Sequence, residues 1–229
     1  MTIRVYDLCG ANDLRFSPNC WRTRMALAHK ELSADFIPWH FTDKEAITFS
    51  DSKTVPVLID GEQIAGDSWE IANYLEEKYP DAPSLFGGVA GRAVTAFINA
   101  WADATLHPAL IRCILPDVFD RIDDMDKNYF RASRETRFGM TIEAMRERQT
   151  EELAKLDYAL TPLRTILKSE DWIAGDFPGY ADYIIFGAFQ WARLVSPLNI
   201  VDAEDPIQPW RERMLDLFDG LGRKFPAAC

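Results

Sequence analysis

Phe16-Ser17-Pro18-Asn19-Cys20-Trp21-Arg22-Thr23-Arg24-Met25-Ala26-Leu27 follows a short strand-like run at residues 3–7 and opens a helix. Trp21, Met25 and Ala28 recur at i, i+4, i+7 and define one apolar face, which leaves Arg22, Arg24 and Lys30 free to face water. Pro18 is tolerated at the helix start because the first backbone N–H groups have no partner within the helix. Ser17 therefore stands as a hydroxyl at a helix N-terminus, where unpaired N–H groups and a partial positive charge favour an anion. Two roles are open to it. It can cap the helix, the ordinary task of such a serine, or it can donate a hydrogen bond to a bound thiolate. Ser17-Pro18-Asn19-Cys20 has the spacing of a CPxC redox site with the first thiol exchanged for a hydroxyl.

Outward from this stretch, short strand and helix signals alternate. A strand is predicted at 34–39, a weaker helical piece at 44–49, and two apolar runs at 55–59 and 62–65 flank Asp60-Gly61, a hairpin signal. A helix over 68–78 turns Ile71, Ala72, Leu75 and Tyr79 inward. The order implies a small βαβ–ββα module. Val55-Pro56 opens a strand, so this proline is either an edge-strand trans proline or a cis one. The cis form would turn the Val55 backbone outward to pair with an extended peptide. Asp67 and Glu70 form a D-x-x-E pattern, which reads as a capping box. Alternatively, Ser68 and the helix N-terminus hold a ligand carboxylate while Asp67 takes an ammonium, together the charges of an α-amino-acid group.

The turn-rich segment 81–88 marks a boundary, giving domains at 1–82 and 91–229 joined by a linker at 83–90. Beyond it strand signals almost vanish. Helices are predicted over 93–120 with bends at Pro108 and Pro116, over 133–147, over 148–169, over 180–194 as a buried central helix, and over 206–225. The charged stretch 121–128 reads as a mobile loop. The fold class is thus an α/β module followed by an all-α bundle.

Bulk properties narrow the function. A net charge of −11 disfavours nucleic acid and anionic membrane surfaces as partners. No apolar run reaches the ~18–20 residues that span a bilayer, and Asp7 and Asp13 interrupt any secretory signal, so a cytoplasmic protein is expected. Cys9, Cys20, Cys113 and Cys229 are scattered without metal-binding spacing and read as reduced thiols. GxGxxG, Walker A and HExxH patterns are absent, and no metal is expected.

Taken together, Ser17-Pro18-Asn19-Cys20-Trp21-Arg22, Thr54-Val55-Pro56-Val57, the run from Asp67 to Leu75, and Tyr180-Ala181-Asp182 resemble the cytosolic glutathione transferases over the whole chain. Residues 129–135, 76–80 and 217–223 resemble the bacterial lignin β-etherases and the fungal A-type transferases. The resemblance implies a thioredoxin-like domain with Ser17 as the catalytic hydroxyl. It also implies glutathione as co-substrate bound by Lys53, Val55, Asp67 and Ser68, and a homodimer. Two departures stand out. Gly179 replaces the usual Ser or Thr of the N-cap three residues before Asp182, and the etherases carry a longer tail after the segment matching Gly220–Gly222, at the rim of the substrate pocket. The implied electrophile is small and hydrophobic or aromatic, with Trp101, His107 and Ile111 of the bent helix as candidates for its pocket. His107 can equally be an ordinary helix residue beside Pro108. A carrier of hydrophobic ligands and a thiol–disulfide oxidoreductase using Cys20 are the competing classes.

Overall fold

The computed structural model describes residues 2–228. The N-terminal part holds β1 (Ile3–Leu8), α1 (Pro18–His29), β2 (Ala34–Trp39), β3 (Val57–Asp60), β4 (Gln63–Gly66) and α2 (Ser68–Lys78). These strands form a sheet in the order β2-β1-β3-β4. β1 runs parallel to β2, with Ile3 opposite Ala34 and Leu8 opposite Trp39. It runs antiparallel to β3, with Val5 opposite Leu58. Val5, Val57 and Leu58 are wholly buried, as a sheet covered by helices requires. The hairpin turn falls one residue later than the Asp-Gly signal suggested. Asp60 pairs with Gln63, so Gly61, at φ 62°, and Glu62 make the loop.

The second part is helical: α3 (Val89–Trp101), α4 (His107–Arg121), α5 (Asp124–Phe138), α6 (Ile142–Glu147), α7 (Gln149–Ala159), α8 (Thr161–Leu167), α9 (Tyr180–Val195) and α10 (Ile207–Gly220). A thioredoxin-like α/β domain thus precedes an all-helical one. α9 is the buried central helix, and α1 packs on it. This contact corrects one expectation. Arg22 and Lys30 do not face water; both are buried, because α1 is covered by α2 on one side and α9 on another. Lys30 reaches Glu76 at 2.7 Å, and Arg24 reaches Asp7 at 2.6 Å.

Other expectations change as well, and the helix expected over 133–147 breaks at the left-handed Gly139. Residues 121–128 are not a mobile loop. Asp123 accepts the Met125 N–H, and Asp124 and Asp126 occupy the first turn of α5, where carboxylates favour a helix. Of the two proline bends, the first becomes a wider π-type turn over residues 102–106 ahead of Pro108, whereas α4 continues through Pro116. The stretch 148–169 breaks at Leu160, because Pro162 suits only the first turn of a new helix. The path of α10 breaks at Leu217, Phe218 and Asp219, and the chain then folds back so that Gln190 and Arg193 of α9 bond the Gly222 carbonyl. Cys229 lies outside the described residues.

Candidate active site

The sheet gathers the site. β1 ends at Leu8 where β3 begins, and β4 ends opposite that same start, with Val57 paired to Gly66. The starts of α1 and α2 and the 55–56 peptide therefore meet at one end of the sheet. Ser17 is the N-cap of α1 and is only 5% exposed. Its Oγ accepts the Cys20 N–H at 3.3 Å, and no described oxygen or nitrogen takes its proton. Capping and donation to a ligand are compatible for a hydroxyl, which has a donor and two acceptor sites. The loop before it is pinned by the Trp21 indole, which donates to the Arg15 carbonyl at 2.7 Å.

The Val55–Pro56 bond is cis. Val55 is nearly buried, and the Pro56 carbonyl accepts the Asp67 N–H at 3.1 Å. Lys53 is exposed in the preceding loop. Asp67 adopts φ 74°, caps α2 by accepting the Trp69 N–H at 2.7 Å, and leaves its carboxylate exposed. The anticipated capping box does not form, since Asp67 bonds the amide of Trp69 at N2 rather than that of Glu70 at N3. The Asp67 N–H is already given to Pro56, so Glu70 has nothing to satisfy there. Ser68, the first residue of α2, is buried, and its carbonyl accepts the Tyr180 hydroxyl at 2.5 Å.

Beside the start of α1 lies a cleft of ≈ 250 Å³ walled by Pro18 and Asn19 of α1, His107 and Ile111 of α4, Arg137 of α5 and Trp191 of α9. His107 and Ile111 thus join the neighbourhood of Ser17. Trp101 does not. It lines a separate apolar cavity of ≈ 350 Å³ with Phe97, Leu163 and Ile185, since the wide turn at 102–106 changes the phase between α3 and α4.

The charge in this cleft is set by residues that sequence reasoning missed. Arg22 donates to Asn99 Oδ1 at 2.9 Å and to Asp103 Oδ1 at 3.0 Å, and its Nη2 lies 3.2 Å from His107 Nε2. Burial, helped by that guanidinium, pushes His107 down to about 3, so the ring is neutral. A guanidinium only donates, so Nε2 accepts and the ring proton sits on Nδ1, 3.6 Å from Asp103 Oδ1. A signal for the burial of Arg22 was present: Cys20, Thr23, Ala26 and Leu27 spread apolar or small residues around more than one face of α1. The three described thiols are not activated. Burial pushes Cys9 up to about 11, Cys113 to about 12, and Cys20 well above its ordinary value, with the Ser17 hydroxyl opposing that last shift. Among the described residues no group of three or more His, Cys, Asp or Glu could hold a metal, and no helix is long and apolar enough to cross a membrane.

Residues 93–212 match the family description "Glutathione S-transferase, C-terminal domain", and residues 12–83 match "Glutathione S-transferase, N-terminal domain". The chain is 29% identical over 118 residues to the zeta-class glutathione S-transferase of Euphorbia esula, covering 49% of this chain and 52% of that protein. The match thus spans about half the length of this curated relative. Among solved structures, glutathione transferase GSTFuA3 from Phanerochaete chrysosporium superposes with a TM-score of 0.77 at 25% identity, covering 98% of this chain and 94% of that one. CsGST63524 of Ceriporiopsis subvermispora, solved in complex with glutathione, superposes with a TM-score of 0.79 at 24% identity, covering 100% and 99%.

Proposed function

The chain belongs to the glutathione S-transferase family, and from that premise we propose that Ser17 holds the glutathione sulfur as a thiolate for attack on an aromatic electrophile. The observation that carries this is the Ser17 hydroxyl at the N-terminus of α1, one residue from the Pro18 wall of the cleft. An ordinary thiol near pKa ~8.5 is only a few per cent ionised at neutral pH. Lowering it by about two units takes roughly 2.7 kcal/mol. A hydrogen bond to a charged group contributes about 1.5–3 kcal/mol, and a helix N-terminus about 0.3–1. Ser17 and the start of α1 suffice, and no general base is needed.

On this reading the tripeptide lies across the gathered loops. Val55 offers backbone, the Asp67 carboxylate takes the ammonium, Ser68 and the α2 N-terminus take the α-carboxylate, and Lys53 lies within the same loop cluster. The thiol proton passes to solvent, a sulfur–carbon bond forms, and the leaving group departs with its electron pair. For a β-aryl ether, the specific reaction suggested by the β-etherase resemblance, that group is a phenolate of pKa about 10, which takes a proton from water. The exposed Val89, Val94 and Phe97 of α3 support pairing with a second copy. The raised thiol pKa values argue against disulfide chemistry at Cys20.

Ser17→Ala is expected to lower turnover at least ~10-fold, the value of a hydrogen bond to a charged sulfur, while glutathione still binds by titration calorimetry. Unchanged turnover removes Ser17 from the mechanism. The apolar cavity at Trp101 favours a second reading, a carrier of hydrophobic ligands. Binding of a β-aryl ether with neither conjugation nor cleavage would select it.

A further inference from the structure

The cleft beside Pro18 and Asn19 has an unbalanced charge. Its one carboxylate, Asp103, is paired with the buried Arg22 at 3.0 Å, and His107 is neutral. Arg137, on the wall contributed by α5, has no carboxylate within ion-pair distance among the described residues; it meets only the ring of its neighbour Phe138, at 5.5 Å. Arg134, one turn earlier, also lacks a carboxylate. It lies over the rings of Phe41 and Phe130 at 5.5 and 4.6 Å, and the Arg137 charge adds to the burial that lowers its pKa. Two uncompensated guanidiniums side by side are notable in a chain of net charge −11.

The remaining polar groups of the cleft are donors. His107 Nδ1–H lies 3.6 Å from Asp103 Oδ1, beyond hydrogen-bond reach. Asn19 has its Oδ1 buried without a partner, so the accessible end of its amide is the NH2 group. Ile111 and Trp191 supply an apolar wall between them. A cation, two neutral donors and an aromatic surface, with no free acceptor carboxylate, complement an anion on a flat apolar body.

We propose that the electrophile is an aromatic or unsaturated acid whose carboxylate is bound by Arg137, with donors from His107 Nδ1–H and the Asn19 amide. This rests on the transferase reading above and deepens it by assigning the substrate class. The competing description of Arg137 is a solvated surface cation without a ligand.

A matched pair decides: 4-chloro-3,5-dinitrobenzoate and its methyl ester, which share ring, leaving group and shape. Binding is measured by titration calorimetry on the full chain, and conjugation with glutathione is measured separately. In conjugation the sulfur–carbon bond replaces carbon–chlorine, chloride leaves, and the thiol proton goes to solvent. The acid is expected to bind at least ~10-fold more tightly than the ester, in line with one charge-assisted pair, and the advantage is expected to shrink as salt rises. Arg137→Ala is expected to bring the ratio of dissociation constants close to one, and Arg137→Lys to restore part of it. Arg137 is exposed and unpaired, so neither variant removes a contact that folding needs. Equal binding of acid and ester, or a preference that survives Arg137→Ala, overturns the carboxylate site. A preference for the acid with no conjugation of either compound keeps the site and removes the transferase reading. Conjugation of both without preference does the reverse.

Discussion

Two side chains at the start of α1, its N-cap Ser17 and the buried Arg22, set the chemistry of the cleft. Ser17 provides a neutral donor, and Arg22 provides a buried positive charge that adds to burial in keeping His107 unprotonated. The neutrality of His107 has a consequence for stability. Its folded pKa lies at about 3 against 6.5 when exposed. Between those values the unfolded chain binds a proton that the folded chain refuses, so stability rises with pH across this window and is lost as pH falls. Arg22 from α1 and Asp103 from the 102–106 turn lie nearest it, and Arg137 of α5 faces the same cleft. His107→Gln keeps an acceptor for Arg22 but cannot titrate. Urea denaturation between pH 4 and 6.5 should show a shallower pH dependence for the variant, by up to about 1.4 kcal/mol per pH unit. Parallel slopes for the two proteins would mean that His107 titrates normally.

At the element scale, the start of α9 explains how glycine serves at an N-cap without a capping hydroxyl. Asp182 accepts N–H groups from Ile173, Ala174 and Gly179 and the indole of Trp210, all within 3.1 Å, so the helix end is held without an N-cap side chain. A Cβ on Gly179 would lie 2.8 Å from the Ala174 Cβ and 3.1 Å from the Leu85 carbonyl oxygen. Gly179→Ser would recover a few tenths of a kcal/mol as a cap but would overpack at a typical cost of about 1–3 kcal/mol. The variant is expected to unfold at lower urea concentration; a gain in midpoint would show that the close approach relaxes freely. The same helix shows the reach and the limit of periodicity. Apolar residues nearly all round marked it as central, yet nothing in its sequence could reveal which turn Gly179 must approach.

Across the whole molecule, the two domains are joined by buried polar contacts between residues far apart in the chain. Asp126 of α5 is fully buried and accepts N–H groups from Phe41 and Thr42 and the Thr42 hydroxyl. His29 Nδ1 lies 2.6 Å from the Tyr183 hydroxyl, and Tyr180 bonds the Ser68 carbonyl. Asp126→Ala would leave two backbone donors unpaired, at a cost of about 2–5 kcal/mol, read as a lower urea midpoint with little change in slope. A loss below about 0.5 kcal/mol, the range of an ordinary surface substitution, would show that this tie is dispensable. Local pattern was enough to determine the strand and helix order, the gathering of hydroxyl and carboxylate at two helix starts, and the change from α/β to all-α near residue 85, because alternation, caps and turns act over a few residues. Only the folded chain decided that Arg22 and Asp126 are buried, that Trp101 and His107 face different cavities, and that Arg137 stands unpaired at the cleft. Those outcomes depend on partners tens of residues away, and a charged side chain looks the same in sequence whether water or a distant helix receives it.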